Sequence, residues 1–139
     1  MKSIFRGCTS LSSVFFNNNN ALLFIDMSYM FSNCISLTSL DLSNFKATSI
    51  ERMLFNCNSL SSLNLHNFNT SLVKDMKYAF YKCQSLTELD LSSFDTKNTI
   101  QFNYLFYNCK SLTSLDLNHF DTSNAEDMRY MFKNCKNLI

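Results

Sequence analysis

Glycine occurs once in the 139 residues, and long apolar runs, blocks of positive charge and C-x-x-C pairs do not occur at all. Each absence removes a class of function. Without ~18 consecutive apolar residues no membrane-spanning helix is expected. The opening MKSIFRGCTS also lacks the apolar core of about 7–15 residues that marks a secretory signal, so this segment carries no predicted address and no predicted membrane insertion. Twelve Lys and Arg stand against eleven Asp and Glu. They form no basic run of the kind that follows a phosphate backbone, and nucleic acid is not an expected partner. The only histidines, His66 and His119, fall at different distances from the nearest cysteine. With no C-x-x-C, zinc is the least favoured reading of the cysteines, and no metal or cofactor is predicted. Charged residues are only 17% of the chain while hydrophobic ones are 46%, which is enough apolar surface for a continuous core and too little charge for a disordered chain.

What the sequence has in abundance is itself. Cys8, Cys34, Cys57, Cys83, Cys109 and Cys135 are separated by 26, 23, 26, 26 and 26 residues, and a longer phrase repeats around each. Counted from the cysteine, Leu recurs at plus three, plus six and plus eight, with Phe at plus eleven, as in Leu37, Leu40, Leu42 and Phe45. That pattern predicts a short strand with alternate residues facing inward. The first copy departs from it, with Asn19 in place of Phe inside the run Asn17 to Asn20, and the 23-residue repeat has lost three residues between Phe45 and Ile50. Seven, four and three places before the cysteine lie apolar residues such as Met27, Met30 and Phe31. With the cysteine they make the i, i+3, i+4, i+7 stripe of a short helix. Asp26, Asp75 and Asp127 stand where a carboxylate caps such a helix. Gly7, Asn33, Asn56, Asn108 and Asn134 stand just before the cysteine, where a left-handed residue ends it, with Lys82 as the exception.

The expected fold is therefore an α/β repeat, a leucine-rich-repeat-like solenoid with one short parallel strand and one short helix per coil and about five coils. It forms a single array over residues 1–139, with repeats 8–33, 34–56, 57–82, 83–108 and 109–134 and partial coils 1–7 and 135–139. Because both ends cut through the repeat, a longer array or end-to-end self-association is a further expectation.

The phrases CISLTSLDLSNF from Cys34, CQSLTELDLSSFDT from Cys83 and CKSLTSLDLNHFDTSNAEDMRYMFKNC from Cys109 resemble the BspA-like leucine-rich-repeat surface proteins of bacteria, over essentially the whole chain. The resemblance implies an exported or lipid-anchored ectodomain at the cell surface, acting in adhesion or host interaction, with no catalytic residue.

Two outward-facing ladders are the candidate sites. On the strand face, plus five, plus seven and plus nine place Glu88, then Asp41, Asn64, Asp90 and Asp116, then His66 and Asn118 in a polar, weakly acidic strip. The strip suits an extended peptide or glycan, or a cation between Asp90 and Asp116; the plainer alternative is a solvated sheet face. Five residues before the cysteine, Tyr29, Tyr78, Tyr104 and Tyr130 form an aromatic ladder with Tyr81 and Tyr107 close by, interrupted by Ser3 and Arg52. Such a ladder either anchors an interface or shields the junction between coils. The cysteines complete the apolar stripe and read as free buried thiols, with disulfides between adjacent coils geometrically conceivable. No histidine faces them, so nucleophilic chemistry is not expected. The chain reads as a non-catalytic binding module for a host or cell-surface protein or glycan. The alternative is a structural spacer or self-assembling fragment with no ligand of its own.

Overall fold

The computed structural model describes residues 1–17 and 23–139; Asn18 to Asn20, part of the irregular asparagine run, lie outside the described residues. Successive repeats stack in parallel. Strands β1 (Ser13–Val14), β3 (Ser39–Asp41) and β5 (Ser62–Asn64) form one sheet, in which Leu40 lies between Val14 and Leu63. Strands β2 (Phe24–Asp26) and β4 (Lys46–Ser49) form a second parallel pair. β4 occupies the shortened connection after Phe45. Isolated bridges carry the second ladder onward through Lys46 to Asn69 and Asp75 to Gln101 to Asp127.

The leucines point inward as their spacing requires. Leu37, Leu42, Leu60 and Phe68 are completely buried, and Leu86 and Leu112 nearly so. Methionine and phenylalanine from the other half of the repeat meet them, with Met27, Met30, Phe31, Met53, Met76, Phe80 and Phe106 fully covered. Equivalent phenylalanines stack from repeat to repeat: Phe5 on Phe31 at 5.2 Å, Phe80 on Phe106 at 5.5 Å and Phe106 on Phe132 at 5.6 Å between ring centroids.

The expected helices are not formed: no described residue is helical. The apolar stripe is buried as its spacing predicts, but a chain of tight turns buries it. Met30 N–H donates to Met27 C=O, Ser32 to Tyr29 and Cys34 to Phe31, each across three residues at 3.0–3.1 Å. The alternate amides, those of Tyr29, Phe31 and Asn33, donate instead to Glu51, Met53 and Phe55 of the next repeat at 2.9, 2.9 and 2.7 Å. Two left-handed residues in every repeat cause this. Gly7, Asn33, Asn56, Lys82, Asn108 and Asn134 have positive φ at minus one, Lys82 included. So do Ser3, Tyr29, Arg52, Tyr78, Tyr104 and Tyr130 at minus five. A helix cannot propagate through such residues. A helix of two turns would also leave its first four amides without partners, whereas the turn ribbon gives those amides to the neighbouring repeat.

The aspartates read as helix caps have a related role. Asp26, Asp75 and Asp127 accept the amides of Ser28, Lys77 and Arg129, two residues on, at 2.9–3.0 Å, closing a turn rather than capping a helix. No helix among the described residues is long and apolar enough to cross a membrane.

Candidate functional site

On the strand face, Asp41, Asn64, His66, Glu88, Asp90, Asp116 and Asn118 are all exposed. Four of them are partly engaged by the fold. The Oδ1 atoms of Asp41, Asn64, Asp90 and Asp116 accept the amides of Ser43, His66, Ser92 and Asn118 at 2.8, 3.0, 2.9 and 2.9 Å. Asn64 Nδ2 also donates to Asp41 Oδ2 at 3.2 Å, so adjacent rungs of this ladder touch. Asp41 and Asn64 share a hollow of about 200 Å³ with the almost fully exposed Phe15, while Asp116 and Asn118 line another with Ile139. No cluster of three metal-ligating side chains occurs among the described residues, and Asp90 and Asp116 hold turns rather than each other.

These turn bonds set the acidity of the face. The Ser92 amide, then its hydroxyl, holds Asp90 below the ordinary carboxylate range, and Ser43 and Asn64 do the same for Asp41. A carboxylate with a lowered folded-state pKa adds stability above its unfolded value of about 3.9, and that stability is lost as pH falls through the folded value. Asparagine closes the same turn at Asn64. Asp90→Asn is therefore expected to leave the Tm near pH 7 almost unchanged and to shrink its fall between about pH 5 and about pH 2. An acid-side loss of Tm identical to that of the parent would contradict this account of the turns.

The tyrosine ladder is built by the left-handed residues at minus five, which turn the ring outward while the backbone amide stays bonded to the next repeat. Parallel neighbours lie ~4.7–4.9 Å apart, which is also a stacking distance. Tyr78 and Tyr104 accordingly stack at 4.7 Å with planes 8° apart, and Tyr104 meets Tyr130 at 5.1 Å. Arg52 does not break this column. Its guanidinium lies 5.5 Å from the Tyr29 ring and 4.7 Å from Tyr78, and Nη1 donates to the Tyr29 hydroxyl at 2.7 Å. That hydroxyl in turn donates to Glu51 at 2.8 Å.

A second column runs beside the first at minus two, where Phe55 stacks on Tyr81 at 4.7 Å and Tyr81 on Tyr107 at 4.8 Å. Phe55 was not among the residues singled out from the sequence. The signal was available, since the minus-two positions read Arg6, Ser32, Phe55, Tyr81, Tyr107 and Lys133. Cations border both columns, with Lys82 5.6 Å from the Tyr81 ring and Lys133 4.8 Å from Tyr130. Burial and then the neighbouring phenols push the hydroxyls of Tyr81 and Tyr104 up in pKa, so they remain donors at neutral pH.

The cysteines face the opposite way. All six are free thiols; Cys34, Cys57, Cys83 and Cys109 are buried, whereas Cys8 is exposed. The Cys34, Cys57, Cys83, Cys109 and Cys135 thiols donate to the carbonyls of Phe5, Phe31, Leu54, Phe80 and Phe106 in the preceding repeat, at 3.0–3.3 Å. Burial pushes Cys34 up to about 11 and Cys109 up to about 12, with Cys57 and Cys83 also raised. Such thiols stay protonated and are poor nucleophiles. His119 is turned away from them, with Nε2 2.8 Å from the Leu91 carbonyl oxygen and its ring edge-on to Phe120.

Comparison with known protein families decides what this repeat is. A family model described as a BspA type leucine rich repeat region of six copies matches residues 1–76, more than half the chain. The chain belongs to the BspA-type leucine-rich-repeat family. A second model, described as a Mycoplasma protein of unknown function, DUF285, matches residues 48–139. No curated protein and no solved structure matches the chain. The two matched segments of this BspA-type chain overlap at residues 48–76, which hold most of the repeat that begins at Cys57. Its leucines Leu60, Leu63 and Leu65 and its stripe residues Met76, Ala79 and Phe80 keep the common phase, so both descriptions apply to one continuous pattern. In this BspA-type chain the strand leucines and the stripe of the turn ribbon share one buried core.

Proposed function

We propose that this BspA-type chain is a leucine-rich-repeat solenoid serving as a non-catalytic binding module of a bacterial surface protein of adhesin type. It recognises a protein or glycan ligand. The tyrosine face, more than the strand face, is its recognition surface. One observation carries this choice: two parallel columns of rings, stacked at 4.7–4.8 Å and edged with guanidinium and ammonium groups. Aromatic and Arg side chains held rigid at a surface supply most binding hot spots, because little side-chain entropy remains to be lost. The hydroxyls of Tyr78, Tyr81, Tyr104, Tyr107 and Tyr130 make no hydrogen bond to protein among the described residues, which leaves a row of donors for a ligand. The strand-face carboxylates, by contrast, already spend an oxygen on their own turns.

Arrays of immobilised glycans and surface proteins probed with paired variants test the proposal. Tyr81→Ser combined with Tyr107→Ser removes one column, and Ser32 already occupies this phase of the repeat, so the backbone tolerates the change. Asp90→Asn with Asp116→Asn keeps the turn acceptors and removes their charge from the strand face. The expected outcome is at least a roughly tenfold loss of binding from the tyrosine pair and little change from the aspartate pair. The reverse ranking would return recognition to the strand face, and a parent that binds nothing would count against a binding role.

A further inference from the structure

The second aromatic column has one missing ring. At minus two, Phe55, Tyr81 and Tyr107 stack in order, but the next position toward the N-terminus is Ser32, and beyond it stands Arg6. A serine in a column with a repeat of about 4.8 Å leaves a slot one ring thick between Phe55 and Arg6. The structure has an open cavity of about 340 Å³ there, lined by Ser32, Asn33, the rings of Tyr29, Phe55, Tyr78 and Tyr81, and the guanidinium side chains of Arg6 and Arg52. That volume is at the small end of ligand sites, the size of a single ring with a substituent.

The walls define the chemistry of the occupant. Phe55 already offers one face to Tyr81 at 4.7 Å, and its other side is toward the slot, so a flat ring entering there continues an existing stack. Two cations flank the slot from the repeats before and after. The Arg6 guanidinium lies 5.1 Å from the Tyr29 ring and forms no ion pair among the described residues. Arg52 lies 5.5 Å from the same ring. Its nearest carboxylate, Glu51, is 3.5 Å away and is shared with Lys77 at the same distance and with the Tyr29 hydroxyl. Positive charge therefore exceeds negative charge around the slot, and guanidinium groups bind carboxylate and phosphate in a planar, two-pronged manner.

We infer that the Ser32 slot is a binding site for an aromatic ring carrying an anionic group, with the ring stacked on Phe55 and the anion held by Arg6 and Arg52. The inference deepens the binding-module reading and places one specific subsite on the tyrosine face.

Titration of the whole chain with phenyl phosphate, followed by NMR of the aromatic side chains, tests it. Cyclohexyl phosphate and inorganic phosphate serve as controls for the flat ring and for the anion alone. Saturable shifts confined to Phe55 and Tyr29 are expected with phenyl phosphate, with at least tenfold weaker effects from both controls. Ser32→Tyr supplies the missing ring of the column and is expected to abolish the shifts. Arg6→Gln, at an exposed side chain that does not contribute to the core, is expected to weaken binding several-fold and keeps the test decisive if the tyrosine variant does not fold. Equal shifts from inorganic phosphate, binding that survives Ser32→Tyr, affinity left unchanged by Arg6→Gln, or no saturable shift with phenyl phosphate would each overturn the inference. Because the probe is a small molecule, its failure is separable from failure of the glycan and protein arrays, which report on the whole face.

Discussion

Phe80→Ala is expected to destabilise the protein by about 3–5 kcal/mol, the range for truncating a buried aromatic ring. Phe80 is fully buried, stacks on Phe106 at 5.5 Å and lies 6.5 Å from Phe94. The size of the effect follows from the stacked architecture: each repeat contacts only its neighbours, so a cavity at a central interface weakens the coupling between the repeats on either side. Phe80→Leu is expected to cost clearly less than Phe80→Ala, because it leaves a much smaller cavity and Leu54 fills the same phase one repeat earlier with no exposure. Urea melts of the two variants measure the difference through the midpoint. Equal losses for alanine and leucine would mean that Phe80 does not hold this interface together.

Most of the architecture could be read from spacing. Leucines at plus three, plus six and plus eight pointed to the parallel strands β1, β3 and β5, but one strand per coil was too many: the copies after Cys83 and Cys109 keep the same leucines and form no strand. The buried stripe Met27, Met30, Phe31 and Cys34 was also legible. Its secondary structure was not. A run of tight turns closed across three residues brings the same positions inward as a short helix does, so hydrophobic periodicity cannot separate the two. The deciding positions were the left-handed residues, and only half of them had a chemical signature. Asn33, Asn56 and Asn108 announce a left-handed backbone, whereas Tyr29, Tyr78 and Tyr104 do not, since an aromatic ring carries no preference for positive φ.

The sites were legible to a similar degree. The tyrosine ladder was read as interrupted at Arg52, because a cation breaks an aromatic pattern in sequence; in space its guanidinium stacks between two rings and continues the column. Phe55 and Ser32 were missed because their importance comes from the row they share with Tyr81 and Tyr107, which becomes visible only when the repeats are stacked. Asp41, Asp90 and Asp116 were recognised as exposed, but their turn bonds require the backbone geometry and could not be seen in the spacing alone.

The central structural claim is that a left-handed turn residue at minus five, and not a helix, holds each outward ring in register with the next. Comparing the Tm of Tyr104→Gly with that of Tyr104→Ala tests it most directly, because both variants lose the same ring and differ only in backbone preference. Tyr104 has φ of 59°, and its amide donates to the Arg129 carbonyl at 3.0 Å. At such a position alanine is strained by roughly 1–2 kcal/mol and glycine is not. After the greater chain entropy of glycine is subtracted, the glycine variant is expected to be the more stable by about 1 kcal/mol, or about 4 °C in Tm. In a helix the order reverses, with alanine ahead by roughly 0.5–1 kcal/mol. A higher Tm for Tyr104→Gly is the result the account predicts; a higher Tm for Tyr104→Ala would contradict it.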